Sequence, residues 1–312
     1  MTALTHPTAR AYDMLAPADD ACWRAYATAA HGEGAAGDTT ARAGETSARA
    51  YDTLAPAYDL LTAGYAYAPW LRAIDELARS HGLTGRRALD VACGTGKGLE
   101  ALLDLGYETI GCDGSPGMAA VARRKLGGRA PVRVADMCDL PVYGRFDLVT
   151  CLDDAVNHLP SARLVTAALR AMGANLAPGG LLAFDVNTLG AYRDVGDRIV
   201  EDGDRIVLWH GRPARLDAPG GRSVVAMDVL SRRGDGLWRR ARASWGHWHY
   251  PLSAIPALVT AAGLEVVAVR GQQVGGVLEP GADEDRHTKA LFLVRHPQPR
   301  KGGEHALAAV EI

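Results

Sequence analysis

The sequence has few cysteines, and none of them lies in a pattern that indicates a disulfide framework or a metal site. Cys22, Cys93, Cys112, Cys138 and Cys151 are spread over 312 residues, and no two of them form a C-x-x-C pair. Isolated cysteines are typical of a reducing compartment, where they behave as small hydrophobic residues. We therefore expect a cytoplasmic protein that binds no metal.

An excess of one charge and long hydrophobic runs are also missing. The 34 Lys and Arg residues nearly balance the 36 Asp and Glu residues, and the formal net charge is −2, so no basic surface indicates a nucleic-acid partner. No segment reaches the ~18 apolar residues of a membrane span, and no charged start precedes an apolar core at the N-terminus. With 48% hydrophobic residues, the chain can bury the core of one large domain or two small ones.

The most informative segment is Leu89–Gly98, which reads LDVACGTGKG. A short apolar strand ending in Asp90 is followed by a Gly-x-Gly-x-Gly turn at Gly94, Gly96 and Gly98, which allows a ligand to approach the backbone closely. Asp113 ends the next apolar run, where a carboxylate can accept hydrogen bonds from ribose hydroxyls. The sequence thus predicts a site for an adenosine-type ligand.

The glycine spacing argues against a dinucleotide. Gly98 follows Gly96 by two positions, whereas the dinucleotide fingerprint needs three, and Asp90 would repel a pyrophosphate. A carboxylate there suits a cationic ligand. Taken alone, however, a glycine-rich turn is equally compatible with a purely structural connection between strand and helix.

Downstream of Ala88 the sequence alternates between strands and helices. We predict strands at 88–92, 109–112, 132–135, 146–151 and 181–186, and helices that include 117–126 and 162–176. This order predicts an α/β fold with a doubly wound, mostly parallel, seven-stranded sheet, in which ligands bind at the carboxyl ends of the strands. Residues 198–250 predict an antiparallel insert of three or four strands after strand five, before a helix at 252–262 and closing strands at 264–270 and 289–294.

Five ordered motifs resemble those of the class I S-adenosylmethionine-dependent methyltransferases. Leu89–Gly98 resembles motif I, with Ala92 in place of its usual first glycine, and Gly111–Met118 is similar to the second motif. Asp136–Met137, Phe146–Leu152 and Leu176–Asp185 are similar to the later ones. The resemblance implies a Rossmann-like fold that binds S-adenosylmethionine through Tyr51, Tyr58, Asp90, Ala92, Cys93, Gly94, Gly96, Asp113, Gly114, Met118, Asp136, Met137, Leu152 and Asp153, with S-adenosylhomocysteine as the product.

Within that superfamily the sequence is most similar to nucleotide-sugar and glycine/sarcosine N-methyltransferases. The similarity rests on the Tyr51–Asp59 helix, on His158-Leu159 and on the antiparallel insert. It implies a small-molecule acceptor, an amine before a hydroxyl or carbon, in specialised metabolism. A catalytically silent cofactor-binding protein and an NAD(P)-dependent reductase remain as alternatives.

We name His158, Tyr51 and His249 as catalytic candidates. His158 is the candidate general base: it follows strand four and would face the methyl group, so His158→Ala should lower turnover and leave cofactor affinity nearly unchanged. Its alternative role is to cap the next helix. Tyr51 and Tyr58 either close over the cofactor or pack as ordinary aromatic residues. His247 and His249 share a face if they lie on one strand, but without a third ligand they suit a structural or acceptor-lining role, together with Trp209 and Trp245.

The N-terminal region contains a repeat. Residues 8–18 recur as residues 47–57, with ten of eleven positions identical or similar; the first copy is a duplication remnant or packs on a partner subunit, which makes a homodimer plausible. We divide the chain into an extension (1–45), a helical cap (46–80), a core (81–296) and a loose C-terminal tail (297–312), with a linker at 31–46 between the extension and the cap.

Overall fold

The computed structural model describes residues 39–193, 197–210, 221–273 and 275–298, with the side chains of the first helix from Ser47 onward. These residues form two β-sheets, one of eight strands and one of four. The first copy of the repeat, Cys22, and residues 299–312 lie outside the described residues.

The helices cluster before and between the strands of the first sheet. They are α1 (Thr39–Leu54), α2 (Tyr58–Leu61), α3 (Tyr67–Ser80), α4 (Lys97–Asp104), α5 (Pro116–Leu126), α6 (Ala162–Gly173), α7 (Gly190–Arg193) and α8 (Ile255–Ala261). Single 3-10 turns occupy Ala55–Ala57, Met137–Asp139, Ala155–His158 and Leu252–Ala254. In the part of the chain that the structure describes, no helix is long and apolar enough to cross a bilayer.

The strands follow the predicted order along the chain. They are β1 (Arg87–Val91), β2 (Glu108–Asp113), β3 (Val132–Val134), β4 (Phe146–Cys151), β5 (Leu176–Asn187), β6 (Arg198–Glu201), β7 (Arg205–His210), β8 (Arg222–Arg232), β9 (Trp238–Trp248), β10 (Glu265–Gln272), β11 (Leu278–Pro280) and β12 (Lys289–Arg295).

The larger sheet has the order β11-β10-β12-β5-β4-β1-β2-β3. Strands β1 to β5 are parallel, and β12, β10 and β11 pair antiparallel. The doubly wound, mostly parallel architecture is thus confirmed, with β11 added to the seven predicted strands as a three-residue edge that is too short to show a periodic pattern. The strand order reverses between β1 and β4, which is where such sheets bind ligands.

Both faces of this sheet are buried. Along β12, Ala290, Phe292 and Val294 pack into the apolar cluster under α6 and α8, whereas Leu291 and Leu293 pack into the one under α3 and α4. Residues of the two faces alternate because successive side chains of a strand point in opposite directions. The carboxyl ends of the strands are therefore the accessible edge of the sheet.

The antiparallel insert after strand five is confirmed as the sheet β6-β7-β8-β9. One of its faces carries Val207, Met227 and Trp245, which pack against Ala50 and Leu54 of α1. The insert and the N-terminal helix thus form one apolar layer beside the carboxyl ends of the large sheet.

Two predicted boundaries are wrong. Helix α1 begins at Thr39, so residues 39–46 are helix rather than linker, since an alanine-rich segment continues readily from a helix anchored by Ala50 and Leu54. Strand β5 begins at Leu176, where the sequence predicts helix; Leu176 pairs with Phe146 before an irregularity at the glycines, and the register resumes at Leu181.

Candidate functional site

A cavity of about 470 Å³ opens at the carboxyl ends of β1, β2 and β4. Helices α1 and α2 cover it from the N-terminal side through Tyr51 and Tyr58, and His158 closes one end. The strand-order reversal places this cavity at the point where doubly wound sheets bind their ligands.

Asp90 lies at the inner end of the cavity and is 5% exposed. Thr150 donates a hydrogen bond to its Oδ1 at 2.7 Å, yet burial raises its pKa to about 7, with a further contribution from Asp113. A Cβ atom on Gly98 would lie 2.9 Å from Asp90 Oδ2, so the third glycine of the motif leaves room for this carboxylate. A buried carboxylate facing a cavity favours a cationic ligand.

The glycine turn holds the second carboxylate in place. The amides of Gly94 and Ser115 donate to Asp113 Oδ2 and Oδ1, each at 2.8 Å, while burial raises its pKa to about 6. Each carboxylate oxygen keeps acceptor capacity for a ligand hydroxyl. The turn also shows why glycine is usual at the position of Ala92: its φ of 58° is left-handed, a conformation that favours glycine.

The cavity also has apolar lining. Met118 is 1% exposed, and Met137 and Leu152 line the cavity as well. Asp136 Oδ1 accepts from the Cys138 amide at 2.8 Å, which orients the carboxylate at the rim. Apolar lining beside one acceptor suits a flat heteroaromatic ring that carries an amino group.

Two carboxylates attach the covering helices to the glycine turn and to α5. Asp52 Oδ1 accepts from Ser115 Oγ at 2.5 Å and from the Gly117 amide at 2.7 Å. Asp59 accepts from Thr95 Oγ1 at 2.6 Å and pairs with Lys125 at 2.7 Å. The cover is thereby tied to the same turns that line the cavity floor.

His158 is the centre of a chain of aromatic side chains. Its Nε2 lies 3.1 Å from the Tyr51 hydroxyl and 3.3 Å from His247 Nε2, and Trp245 Nε1 donates to that His247 nitrogen at 3.1 Å. Burial, and then the neighbouring His247, lower the pKa of His158 to about 3 against the opposing effect of Asp154. Both imidazoles are therefore neutral near pH 7, because burial also lowers the pKa of His247.

Beside this chain lies a cluster of three carboxylates and one lysine. Lys289 Nζ lies 2.6 Å from Asp153 Oδ1 and 3.5 Å from both Asp154 Oδ1 and Asp185 Oδ2, and Tyr67 donates to Asp153 Oδ2 at 2.9 Å. Burial alone would lower the pKa of Lys289, but the three carboxylates hold it well above the usual value. When all four groups are ionised the cluster carries two surplus negative charges.

Backbone strain marks the same place. Asp153 and Asp154 have φ values of 62° and 58°, a left-handed conformation that costs about 1–3 kcal/mol at a non-glycine residue. The Asp154 amide donates to Asp185 Oδ1 at 2.9 Å, and Asn187 Nδ2 donates to Asp154 Oδ2 at 2.8 Å. These bonds from β5 hold the strained turn, which aims Asp153 at the cavity.

The structure brings all the predicted cofactor residues to the cavity except Gly96. Gly96, at a φ of 87°, instead begins α4 against α5, where an added Cβ would lie 3.2 Å from Ala122 Cβ. Glycine is required there for packing and for the turn rather than for contact with a ligand.

Of the three catalytic candidates, His158 and Tyr51 line the cavity, and His249 does not. Strand β9 ends at Trp248, so His249 lies beyond the strand, where its Nε2 pairs with Glu284 at 3.1 Å. His249 therefore does not reach the cavity and its catalytic role stays a prediction, whereas His247 is the histidine that lies 3.3 Å from His158. Nor do Trp209 and Trp245 line this cavity. The described residues contain no group of three His, Cys, Asp or Glu side chains arranged for a metal ion.

Sequence reasoning missed several lining residues. They are Ser47, Ala48, Tyr67, Thr95, Lys97, Ser115, Val134, Ala135, Ala155 and Leu159. Half of them, namely Thr95, Lys97, Ser115, Ala135 and Leu159, directly adjoin predicted residues, so for these the motif positions themselves were the available signal. Tyr67 had no such signal, because only the packing of α3 brings it to Asp153.

Known proteins share both the sequence motifs and the fold. Residues 88–180 match a family model described as a methyltransferase domain. A protein of Geobacillus sp. (strain WCH70) named as a methyltransferase is 31% identical over 212 residues, which cover 65% of this chain and 84% of the relative. The dTDP-3-amino-3,6-dideoxy-alpha-D-glucopyranose N,N-dimethyltransferase of Streptomyces fradiae is 35% identical over 109 residues, 35% of this chain and 42% of the relative.

Among solved structures, the sugar N-methyltransferase KedS8 from Streptoalloteichus is 27% identical with a TM-score of 0.62, covering 77% of this chain and 93% of its own. The matches to the first curated relatives are shorter, since this chain spans about half of their length.

Proposed function

The chain belongs to the class I S-adenosylmethionine-dependent methyltransferases, and on this premise we propose that it methylates an amine of a small molecule, with a nucleotide-linked amino sugar as acceptor. The observation that carries the proposal is the end of the cavity, where a neutral histidine adjoins a cluster with surplus negative charge. The choice of an amino sugar as acceptor is supported by the names of the sugar N-methyltransferase relatives.

The cavity residues fit the methyl donor. The buried Asp90 suits its α-amino and sulfonium charges, Asp113 suits the ribose hydroxyls, and the apolar lining at Met118 and Met137 suits the adenine. S-adenosylmethionine supplies the electrophilic methyl group. Alignment of donor and acceptor can contribute roughly 7–11 kcal/mol, whereas a general base adds about 10²- to 10⁴-fold, so the residues that position the acceptor matter most.

The state of His158 favours nitrogen over oxygen as the acceptor atom. An imidazole with a pKa of about 3 is too weak a base to take the proton of an alkyl hydroxyl before transfer. A neutral amine attacks with its own lone pair and needs only to be oriented. The new C–N bond replaces the bond between the methyl group and the donor's sulfur, and the ammonium product then releases its proton to water. His158 therefore serves as a hydrogen-bond acceptor for the amine.

The carboxylate cluster acts on the positive charge that develops on the acceptor nitrogen. Methyl transfer to an amine gives an ammonium ion, and the surplus negative charge of Asp153, Asp154 and Asp185 over Lys289 stabilises it. This stabilisation grows as positive charge moves onto the nitrogen, which is the condition for lowering the barrier.

Calorimetry and an acceptor pair test the proposal. We expect S-adenosylhomocysteine to bind and NADH not to bind; the reverse would favour the reductase. In a mass-spectrometric assay with purified protein, a dTDP-amino sugar should gain one or two methyl groups, and the matched dTDP sugar with a hydroxyl at the same carbon should gain none. Methylation of the hydroxyl compound alone, or binding without turnover on either compound, would contradict it.

His158→Ala should lower kcat at least about tenfold and leave the affinity for S-adenosylhomocysteine unchanged. His81→Ala, at the end of α3 and away from the cavity, is the control and should behave as the wild type. Unchanged turnover in His158→Ala would remove His158 from the mechanism.

A further inference from the structure

Trp245 and His247 lie behind His158, outside the cavity, and the methyl-transfer chemistry above does not use them. Trp245 is 3% exposed and His247 is 8% exposed. Both belong to β9 of the insert, whereas His158 ends the turn after β4, 89 residues earlier in the chain. Buried side chains linked by hydrogen bonds restrict one another's protonation states.

The indole of Trp245 determines which nitrogen of His247 carries a proton. An indole N–H only donates, so His247 Nε2, which lies 3.1 Å away, must accept. His247 is neutral, because burial lowers its pKa, and its single proton therefore sits on Nδ1. Asp154 Oδ2 does not compete for Nε2, since it lies 3.6 Å away and already accepts from Asn187.

His247 in turn constrains His158. The two Nε2 atoms lie 3.3 Å apart, a favourable distance only if one of them carries a proton, and on His247 that atom has none. With the proton on Nδ1 of His158, that buried N–H would have no acceptor among the described residues, and the unprotonated Nε2 would lie 3.3 Å from another unprotonated nitrogen. With the proton on Nε2 of His158, that N–H donates to the Tyr51 oxygen at 3.1 Å and lies beside His247 Nε2, whose single lone pair already accepts from Trp245.

We propose that Trp245 and His247 are positioning residues that hold His158 as its Nε2–H tautomer, so that Nδ1 presents a lone pair. Nδ1 of His158 is buried and has no hydrogen-bond partner in the described part of the chain. It is thereby the nitrogen left to accept a hydrogen bond from the acceptor amine. This last step rests on the proposed function, whereas the tautomer does not.

The groups that surround His158 agree with a neutral ring. Tyr51 faces it from α1 and His247 from β9, while Asp154 and Lys289 act on it with opposite charges. His158, whose pKa is about 3, therefore stays neutral between pH 6 and 8, and no change in its protonation is expected there.

The tautomer can be measured by nitrogen-15 NMR of the imidazole in the purified protein, with no acceptor or turnover needed. We expect an unprotonated Nδ1 at His158 in the wild type and a mixture of tautomers in Trp245→Phe, together with a roughly tenfold lower kcat and unchanged affinity for S-adenosylhomocysteine. Trp209→Phe is the matched control, because the Trp209 indole N–H has no partner in the described residues; it should keep the wild-type tautomer.

Two further variants separate the tautomer from packing. His247→Gln keeps an acceptor for both Trp245 and His158 and should keep the tautomer, whereas His247→Phe should lose it. A protonated Nδ1 in the wild type, or a wild-type spectrum in both Trp245→Phe and His247→Phe, would overturn the proposal. Wild-type tautomers without methylation of any amine would instead contradict only the proposed function.

Discussion

Asp90 shows at the level of one residue how a ligand requirement lowers stability. Its folded-state pKa of about 7 exceeds the value near 3.9 of an unfolded chain. Between these values the folded state binds more protons than the unfolded state, so stability falls as pH rises through that window. Burial of the charge destabilises the fold, and the same charge attracts a cation.

Asp90→Asn should therefore raise stability and weaken binding. Asn can still accept from Thr150, so we expect the free energy of unfolding to rise by up to about 4 kcal/mol at pH 8 and to change little at pH 4. Affinity for S-adenosylmethionine should fall about tenfold or more, because a charge-assisted contact is lost. Chemical denaturation at both pH values and calorimetry measure these effects.

Asp104→Asn provides the control, since Asp104 is an exposed carboxylate at the end of α4. It should alter neither quantity. A loss of stability in Asp90→Asn at pH 8 would show that the buried charge of Asp90 does not destabilise the fold.

At the level of elements, the cover of the cavity depends on hydrogen bonds to α5. Asp52 of α1 accepts from Ser115 and from the Gly117 amide, at a helix N-terminus where negative charge is favourable. A Cβ on Gly117 would lie 2.9 Å from Asp52 Oδ1, so the glycine allows this approach. The apolar contacts of Leu54 with the insert hold the other side of α1.

Asp52→Ala should loosen the cover without unfolding the sheet. We expect faster amide exchange in residues 47–62, unchanged exchange in β1 and β4, and about tenfold weaker binding of S-adenosylhomocysteine, in line with the 1.5–3 kcal/mol of hydrogen bonds to a charged group. Asp52→Asn keeps a hydrogen-bond acceptor, so its amide exchange and its affinity should lie between those of Asp52→Ala and those of the wild type. Equal exchange in Asp52→Ala and wild type would show that the cover does not depend on Asp52.

In the molecule as a whole, Lys289 connects the last strand of the large sheet to the carboxyl ends of β4 and β5, where the cavity opens. It lies on β12 and pairs with Asp153 and Asp154 after β4 and with Asp185 on β5. The closing strand thus supplies the positive charge for a turn that lies 136 residues earlier in the sequence. Removing one partner of a buried ion pair leaves uncompensated charge.

Lys289→Met should destabilise the protein by about 3–5 kcal/mol at pH 8. The loss should shrink at pH 5, because Asp185, whose pKa burial raises to about 6, takes up a proton there and so removes one of the uncompensated charges. Arg129→Met, which breaks a half-exposed pair with Glu100, should cost less than about 1 kcal/mol. Thermal denaturation at both pH values measures the difference, and equal losses for the two variants would refute a central role for Lys289.

Sequence reasoning located the fold and the cavity because both depend on local patterns. The glycine turn, Asp90 and Asp113 are contiguous with their strands, and parallel strands bring their carboxyl ends to one edge. The roles of the histidines could not be predicted in the same way. Alternation predicts that His247 and His249 share a face of one strand, but β9 ends between them. Where a strand ends depends on its partners rather than on its own residues.

The sequence by itself determined the α/β sheet, the insert and the carboxylates at the strand ends, since hydrophobic period and turn residues act over a few positions. Only the tertiary structure decided that Trp245 and His247 lie behind His158 and that Lys289 forms an ion pair with Asp153. These contacts join residues 89 and 136 positions apart. Their charges and tautomers depend on burial and distance, which exist only once the chain has folded.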